Sequence, residues 1–282
     1  MKLNLDVAEI FVPDGTPVEE ALARTTHMGI GAHQDDLEAM ASHGILTCFQ
    51  RTDRWFCGVV VTDGSGAPRG GPYADCTDEE LRAIRKEEQI KAAVLGEYGA
   101  QALLGYPSTV VKDAANHAPV EDLRTLLEVA GPAVVYTHNP ADKHDTHVAT
   151  TLRVVEAIRS LPADERPHRL YGCEVWRGLD WLLDDDKTTF DTSSRKNLQR
   201  ALLGVFDSQI SSGKRYDLAT MGRRRANATY HASHQVNVTT GMTYALDLTP
   251  LIAYPERDVA SCVRHYIDRL AQDVQARIER LS

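Results

Sequence analysis

No apolar run in these 282 residues approaches the roughly 20 that a membrane-crossing helix requires. Basic residues are the minority charge, 31 Lys and Arg against 40 Asp and Glu, for a net charge of -9. Nucleic-acid backbones demand the opposite sign, so no nucleic-acid partner is expected. Cysteine is sparse and odd in number: the five residues Cys48, Cys57, Cys76, Cys173 and Cys262 include no C-x-x-C pair. That argues against both a disulfide framework and a thiolate metal site. Met1 to Asp6 contain no apolar signal-peptide core, which gives a cytoplasmic location as the expectation. Internal repeats and low-complexity segments are missing as well.

What is present is 43% hydrophobic content, enough for an ample core without staples. The chain reads as a single domain over 1–282, with a core over about 26–180 and a helical extension over about 181–282. Short apolar runs alternate with helical patterns: Met28 to Ala32, then Leu37 to Cys48; Trp55 to Thr62, then a helix opened by the capping box Thr77-Asp78-Glu79-Glu80. Further strands are expected at Ala102 to Leu104, Ala133 to Tyr136, Arg169 to Trp176 and Gly241 to Leu248. Helices are expected at Val120 to Val129, from Thr146 to Pro162, at Ser194 to Ile210 and at Tyr216 to Ala226. Such alternation implies right-handed crossovers and an α/β, three-layer, mostly parallel sheet with a helix-rich C-terminal part. Asp258 to Leu281 is amphipathic, suited to packing or to a homo-oligomer contact, and a homo-oligomer is expected.

Chemistry concentrates at two strand ends, where open α/β sheets bind ligands. Gly29-Ile30-Gly31-Ala32 runs into His33-Gln34-Asp35-Asp36, placing an imidazole and two carboxylates in one tight turn. Helix capping by aspartate is the plainer explanation of that turn taken alone. The second segment, His138-Asn139-Pro140-Ala141-Asp142-Lys143-His144-Asp145-Thr146-His147, follows another apolar strand and sets His144 and His147 three apart at a helix start. Two such strand ends are what a metal site split between neighbouring strands requires, and His with carboxylate donors suits a catalytic zinc with an open position.

These two segments resemble the LmbE/PIG-L family of zinc-dependent de-N-acetylases, which carries an A-H-P-D-D-E-like motif and, about a hundred residues on, P-x-D-x-H-P-D-H. The likeness extends more loosely through Val59 to Gly64 and Ile84 to Glu88, covering roughly 26–160. It implies a Rossmann-like fold, one Zn2+ (or another divalent ion) per chain on His33, Asp36 and His147, and Asp35 as general base. His144 would steady the oxyanion and protonate the leaving amine of an N-acetylated sugar or conjugate. From its spacing, Asp142 is expected to orient the His144 ring. Gln34 stands where the family has proline, which is expected to loosen the turn; Leu37, Asp145 and Thr146 are further departures.

Around this centre, the glycine- and proline-rich loop Asp63 to Pro72 offers Asp63 and Arg69 for gripping substrate. Glu88 interrupts an apolar helix face and Arg85 lies three before it; they are read either as an ion pair or as reaching the pocket. Lys214, Arg215, Arg223, Arg224 and Arg225 form a basic cluster, read as a solvated face or a contact for an anionic group or a second subunit. His231 and His234 lack an accompanying acid, and His43 reads as a packed histidine. Competing functions are a metal-dependent phosphohydrolase and a non-catalytic sugar-binding descendant. A dinucleotide site is disfavoured because Gln34 replaces the third glycine.

Overall fold

A computed structural model describes residues 1–282. Eight strands form one sheet: β1 (Glu9–Phe11), β2 (His27–Gly31), β3 (Phe56–Thr62), β4 (Ala100–Tyr106), β5 (Val134–His138), β6 (Arg169–Cys173), β7 (Thr188–Asp191) and β8 (Met242–Asp247). Their order is β1-β4-β3-β2-β5-β6-β8-β7. The five central strands, β4 through β6, are mutually parallel, while β1, β8 and β7 pair antiparallel at the edges. The alternation of strand and helix thus gives the expected three-layer α/β fold.

β3 shows how the sheet is buried. Cys57, Val59 and Val61 enter one apolar cluster of 34 residues, whereas Phe56 and Val60 enter a second of 18 on the other face. A strand buried on both faces reads as a continuous apolar run rather than an alternating one. Short edge strands carry no such signature, and neither is expected from the pattern. β1 lies in the polar lead-in, and β7 follows the acidic turns that end at Lys187. The expected strand from Arg169 stops at Cys173, and the expected helix from Leu37 to Cys48 is two, Asp36–Met40 and Ser42–Cys48. The helix expected over Ser194 to Ile210 is likewise two, Lys196–Gly204 and Asp207–Ile210.

The sequence order of strands reverses between β2 and β5, which makes that junction the place for a ligand crevice. Backbone pairing of the two runs from His27↔Val134 to Gly29↔Tyr136 and then ends. Beyond it the chains splay, and side chains span the gap: Thr137 Oγ1 donates to Ile30 O at 3.0 Å, and Ala32 N–H donates to His138 Nε2 at 2.9 Å. Gly31 allows the helix Asp36–Met40 to lie close on β2, since a Cβ there would meet Asp36 Cβ at 3.0 Å. The C-terminal portion is not an independent cap, because β7 and β8 complete the sheet while the helices Lys196–Gly204 and Tyr216–Tyr230 roof the crevice. No helix is long and apolar enough to cross a membrane. The helix Val259–Leu281 has no buried residue and leaves Ile267, Val274, Ile278 and Leu281 exposed.

Candidate metal centre

The turn after β2 is tightly determined. His33 N–H donates to Asp36 Oδ2 at 2.6 Å, and Asp36 N–H returns to His33 O at 3.3 Å. Between them Asp35 is forced to φ 91°, a left-handed conformation that aspartate tolerates better than most residues. Its neighbours hold it there. Arg85 donates to Gln34 O at 2.6 Å and to Gly64 O at 3.3 Å, and Gln34 Nε2 donates to Thr62 O at 3.3 Å. Gln34 therefore anchors the turn instead of loosening it, because its amide finds a strand carbonyl that proline could not reach.

Across the crevice, the helix Asp145–Arg159 begins at His144 and carries His147 inward. His33 Nδ1 lies 3.2 Å from His147 Nε2 and 3.2 Å from Asp36 Oδ2, and His147 Nε2 lies 3.4 Å from Asp36 Oδ1. Donors bound tetrahedrally to zinc at about 2.0–2.1 Å are themselves roughly 3.3 Å apart. The set therefore fits a divalent ion. His33, His144 and His147 lie close enough to act together on an ion, as do Asp36, His138 and His147. However, the His138 Nε2 lone pair already accepts from Ala32 N–H, which favours His33 as the imidazole partner of Asp36 and His147.

Asp142 corrects one expectation. It touches no atom of the His144 ring; Asp142 Oδ2 instead lies 3.3 Å from His147 Nδ1. Its carboxylate also accepts from the backbone of Lys143, Trp176 and Arg177 at 2.6, 3.1 and 3.2 Å. The reason is the helix start: His144 occupies the cap, so the side chain one turn inside, His147, faces back toward Asp142. With its Nδ1–H bonded outward, His147 turns the Nε2 lone pair toward His33 and Asp36. The His144 ring stacks on His147 at 4.5 Å, meets His33 edge-on at 5.0 Å, and leaves its Nδ1 without a partner.

Electrostatics separate the two adjacent carboxyls. Burial opposes ionisation of Asp36, but His147 and His138 outweigh it and hold the carboxyl well below the usual range. Burial pushes Asp35 well above that range, with Arg85, 3.7 Å away, pulling the other way. Burial also drives His147 down to about 4 and lowers His144, the latter with help from His33. An ionised ligand beside a proton-seeking carboxyl is what a hydrolytic metal site asks for.

The site opens into a cavity of about 710 Å³. Of the four residues expected to contact substrate, Asp63 and Arg85 line it. Asp63 is already occupied, by Ser65 at 2.9 Å and Arg82 at 3.1 Å. Arg69 does not reach the cavity; it pairs with Asp78, nine residues on. Glu88 is also turned away, since it accepts from Ser208 N–H and Oγ at 2.7 and 2.6 Å. Lys214, Arg215, Arg223 and Arg224 of the basic cluster do line the cavity, while Arg225, His231 and His234 do not. His43 packs on Phe190 at 4.3 Å, as a core histidine does. Two residues had no expected role. Trp176 borders the cavity beside His144, and His138 bridges the splayed strands; the latter's position as the last residue of an apolar strand was the available signal.

No curated protein matches the sequence. Three solved structures share the fold. The N,N'-diacetylchitobiose deacetylase of Pyrococcus horikoshii is 16% identical over 82% of this chain and 86% of its own, with a TM-score of 0.62. The conserved protein TT1542 of Thermus thermophilus is 17% identical over 83% and 99%, with a TM-score of 0.60. The 4-carboxy-2-hydroxymuconate hydratase GalB of Pseudomonas putida is 14% identical over 79% and 96%, with a TM-score of 0.58. In sequence, residues 28–158 match the PIG-L family, GlcNAc-PI de-N-acetylase. That span contains all the candidate donors, from His33 to His147, and over it this chain is similar to the PIG-L (LmbE-like) de-N-acetylase family.

Proposed function

We propose that this protein removes the acetyl group from an N-acetylated amino sugar or sugar conjugate, using one divalent ion, zinc, on His33, Asp36 and His147. The observation that carries this reading is the meeting of those three donors within 3.4 Å of one another, beside a carboxyl left outside the set. The family match and the shared fold of a chitobiose deacetylase support the substrate class. Held by these residues, a zinc ion would supply Lewis acidity, enough to lower the pKa of a water toward about 7 and to polarise the acetyl carbonyl.

Asp35 takes one proton from the attacking water, whose oxygen bonds to the carbonyl carbon. Its raised affinity for protons makes it a better base than a surface aspartate. His144 stands on the other side of His33, with an Nδ1 that no protein group occupies. It steadies the developing oxyanion and gives a proton to the nitrogen as the C–N bond breaks. Asp142 keeps His147 in the tautomer that points its lone pair inward.

Because a hydratase shares this fold, the products decide the matter. Zinc-loaded protein incubated with N-acetylated sugars is expected to release acetate and free amine in equal amounts. No acetate from any of them overturns the reading, and phosphate from a phosphomonoester would favour the phosphohydrolase. Asp35→Asn, which preserves the left-handed backbone, is expected to keep its zinc and lose roughly 10²–10⁴ in rate. An undiminished rate refutes the base assignment.

A further inference from the structure

The cavity is lined by six cationic and four acidic side chains in a protein of net charge -9, so its walls run against the rest of the surface. Most of these charges already have partners. Arg224 donates to the carbonyls of Glu38 and Ala39, Arg85 to those of Gln34 and Gly64, and Arg215 to Asp217. Around Trp176 the charges do not balance. Lys214 Nζ lies 5.3 Å from the centre of the indole, Arg223 donates to the carbonyl of the preceding Val175, and Lys143, just outside the lining, brings its Nζ to 5.9 Å of the same ring. None of the three pairs with a carboxylate. Two acids lie beside them, and both are filled: Glu174 is buried, pushed up by that burial, and accepts from Leu179, Asn227 and Tyr244, while Asp142 faces His147 and the backbone of Lys143, Trp176 and Arg177.

Cation–π attraction to one indole does not offset the mutual repulsion of two lysines gathered on it and an arginine held at the neighbouring residue. An anion does. Trp176 also stacks on His144 at 6.1 Å, so this cationic corner lies one ring away from the group assigned to the leaving amine. A volume of about 710 Å³ falls within the range that encloses whole ligands rather than an acetamide alone.

We propose that the substrate carries an anionic group, a carboxylate or a phosphate, on the amine side of the scissile bond, held by Lys214, Lys143 and Arg223 around Trp176. This rests on the deacetylase reading for the side of the bond, but not for the anion site itself. The sugar ring lies toward Trp176, and the anion sits beyond it.

The test is calorimetric binding of N-acetylglucosamine, N-acetylglucosamine 1-phosphate and N-acetylmuramic acid to zinc-loaded Asp35→Asn protein, in which no probe turns over. At least one anionic probe is expected to bind roughly tenfold tighter than the neutral sugar, and added salt should erode the preference. The tighter of the two anions identifies the group. Lys214→Gln, at an exposed side chain with no hydrogen bond, is expected to remove most of that preference, Lys143→Gln part of it, and Lys214→Arg little. Equal binding of all three probes, no binding of either anion, or a preference indifferent to both glutamine substitutions overturns the proposal. Acetate release by the zinc-loaded protein with Asp35 intact separates the two readings. A charge preference without acetate from any probe sinks the deacetylase and spares the anion site. Acetate release with no charge preference does the reverse.

Discussion

Residues 28–158 and the residues after them contribute different things to one cavity. The first stretch carries all the candidate metal donors and the two groups proposed to handle protons, with Asp36 and His147 fixed by hydrogen bonds within it. The second supplies Trp176 and most of the cationic wall, on a strand end, a loop and the helix Tyr216–Tyr230. The family likeness lies in the first, so chemistry is legible there. Most of the proposed anion corner lies in the second, where side chains reach the cavity only through tertiary folding.

The sharpest way to break this contrast is His147→Ala. It removes a donor that is fully buried, and zinc content and acetate release should both fall to background in metal analysis and turnover assays. A variant that keeps stoichiometric zinc and its rate would move the centre elsewhere. Next comes Asp142→Asn, which leaves the donor but loosens its orientation. Zinc affinity measured by chelator competition should weaken roughly 10–100-fold. Were Asp142 to serve His144 instead, the rate would drop with zinc affinity intact.

Arg224→Met probes the seam between the two stretches. Its guanidinium crosses from the second to the last carbonyls of the helix Asp36–Met40 at 2.7 and 3.1 Å. Buried carbonyls left without a donor cost about 2 kcal/mol, read as a lower midpoint in denaturant. An unchanged midpoint would show the two stretches to be energetically separate. The last probe lies at the far end of β2 and is read only through pH. Burial holds His27 down to about 4 from 6.5, with help from His43 and Arg54. Between those values the unfolded chain binds a proton that the folded one refuses, so stability is lost as pH falls through 6.5 toward 4. His27→Gln should flatten that slope in thermal melts between about pH 7 and 4.5. The same slope in the variant would assign it to other groups.

The convergence of His33, Asp36 and His147 was readable because these residues sit within a few positions of strand ends, where local geometry nearly fixes direction. Asp142 differs from its expected role by one helical turn: spacing of two suggested His144, whereas the cap geometry delivered His147. Arg69 and Glu88 were unreadable for a different reason. Their partners, Asp78 and Ser208, compete with any ligand and are chosen by packing, Ser208 from 120 residues away. His138 was hidden in plain apolar company, since an imidazole that replaces a ladder hydrogen bond leaves no periodic trace. Among the strands, β2, β3 and β8 were legible as apolar runs. β1 and β7, three and four residues long, were too short to show a pattern.

The antiparallel addition of β8 and β7 beyond β6 has a practical consequence for anyone seeking a minimal catalytic fragment. Cutting after β6 would strip the backbone of Tyr171 to Cys173 of its partners Asp247 to Ala245 and bare an apolar ribbon ready to recruit another chain. Such a fragment, though it retains all three donors, would precipitate before it could turn over.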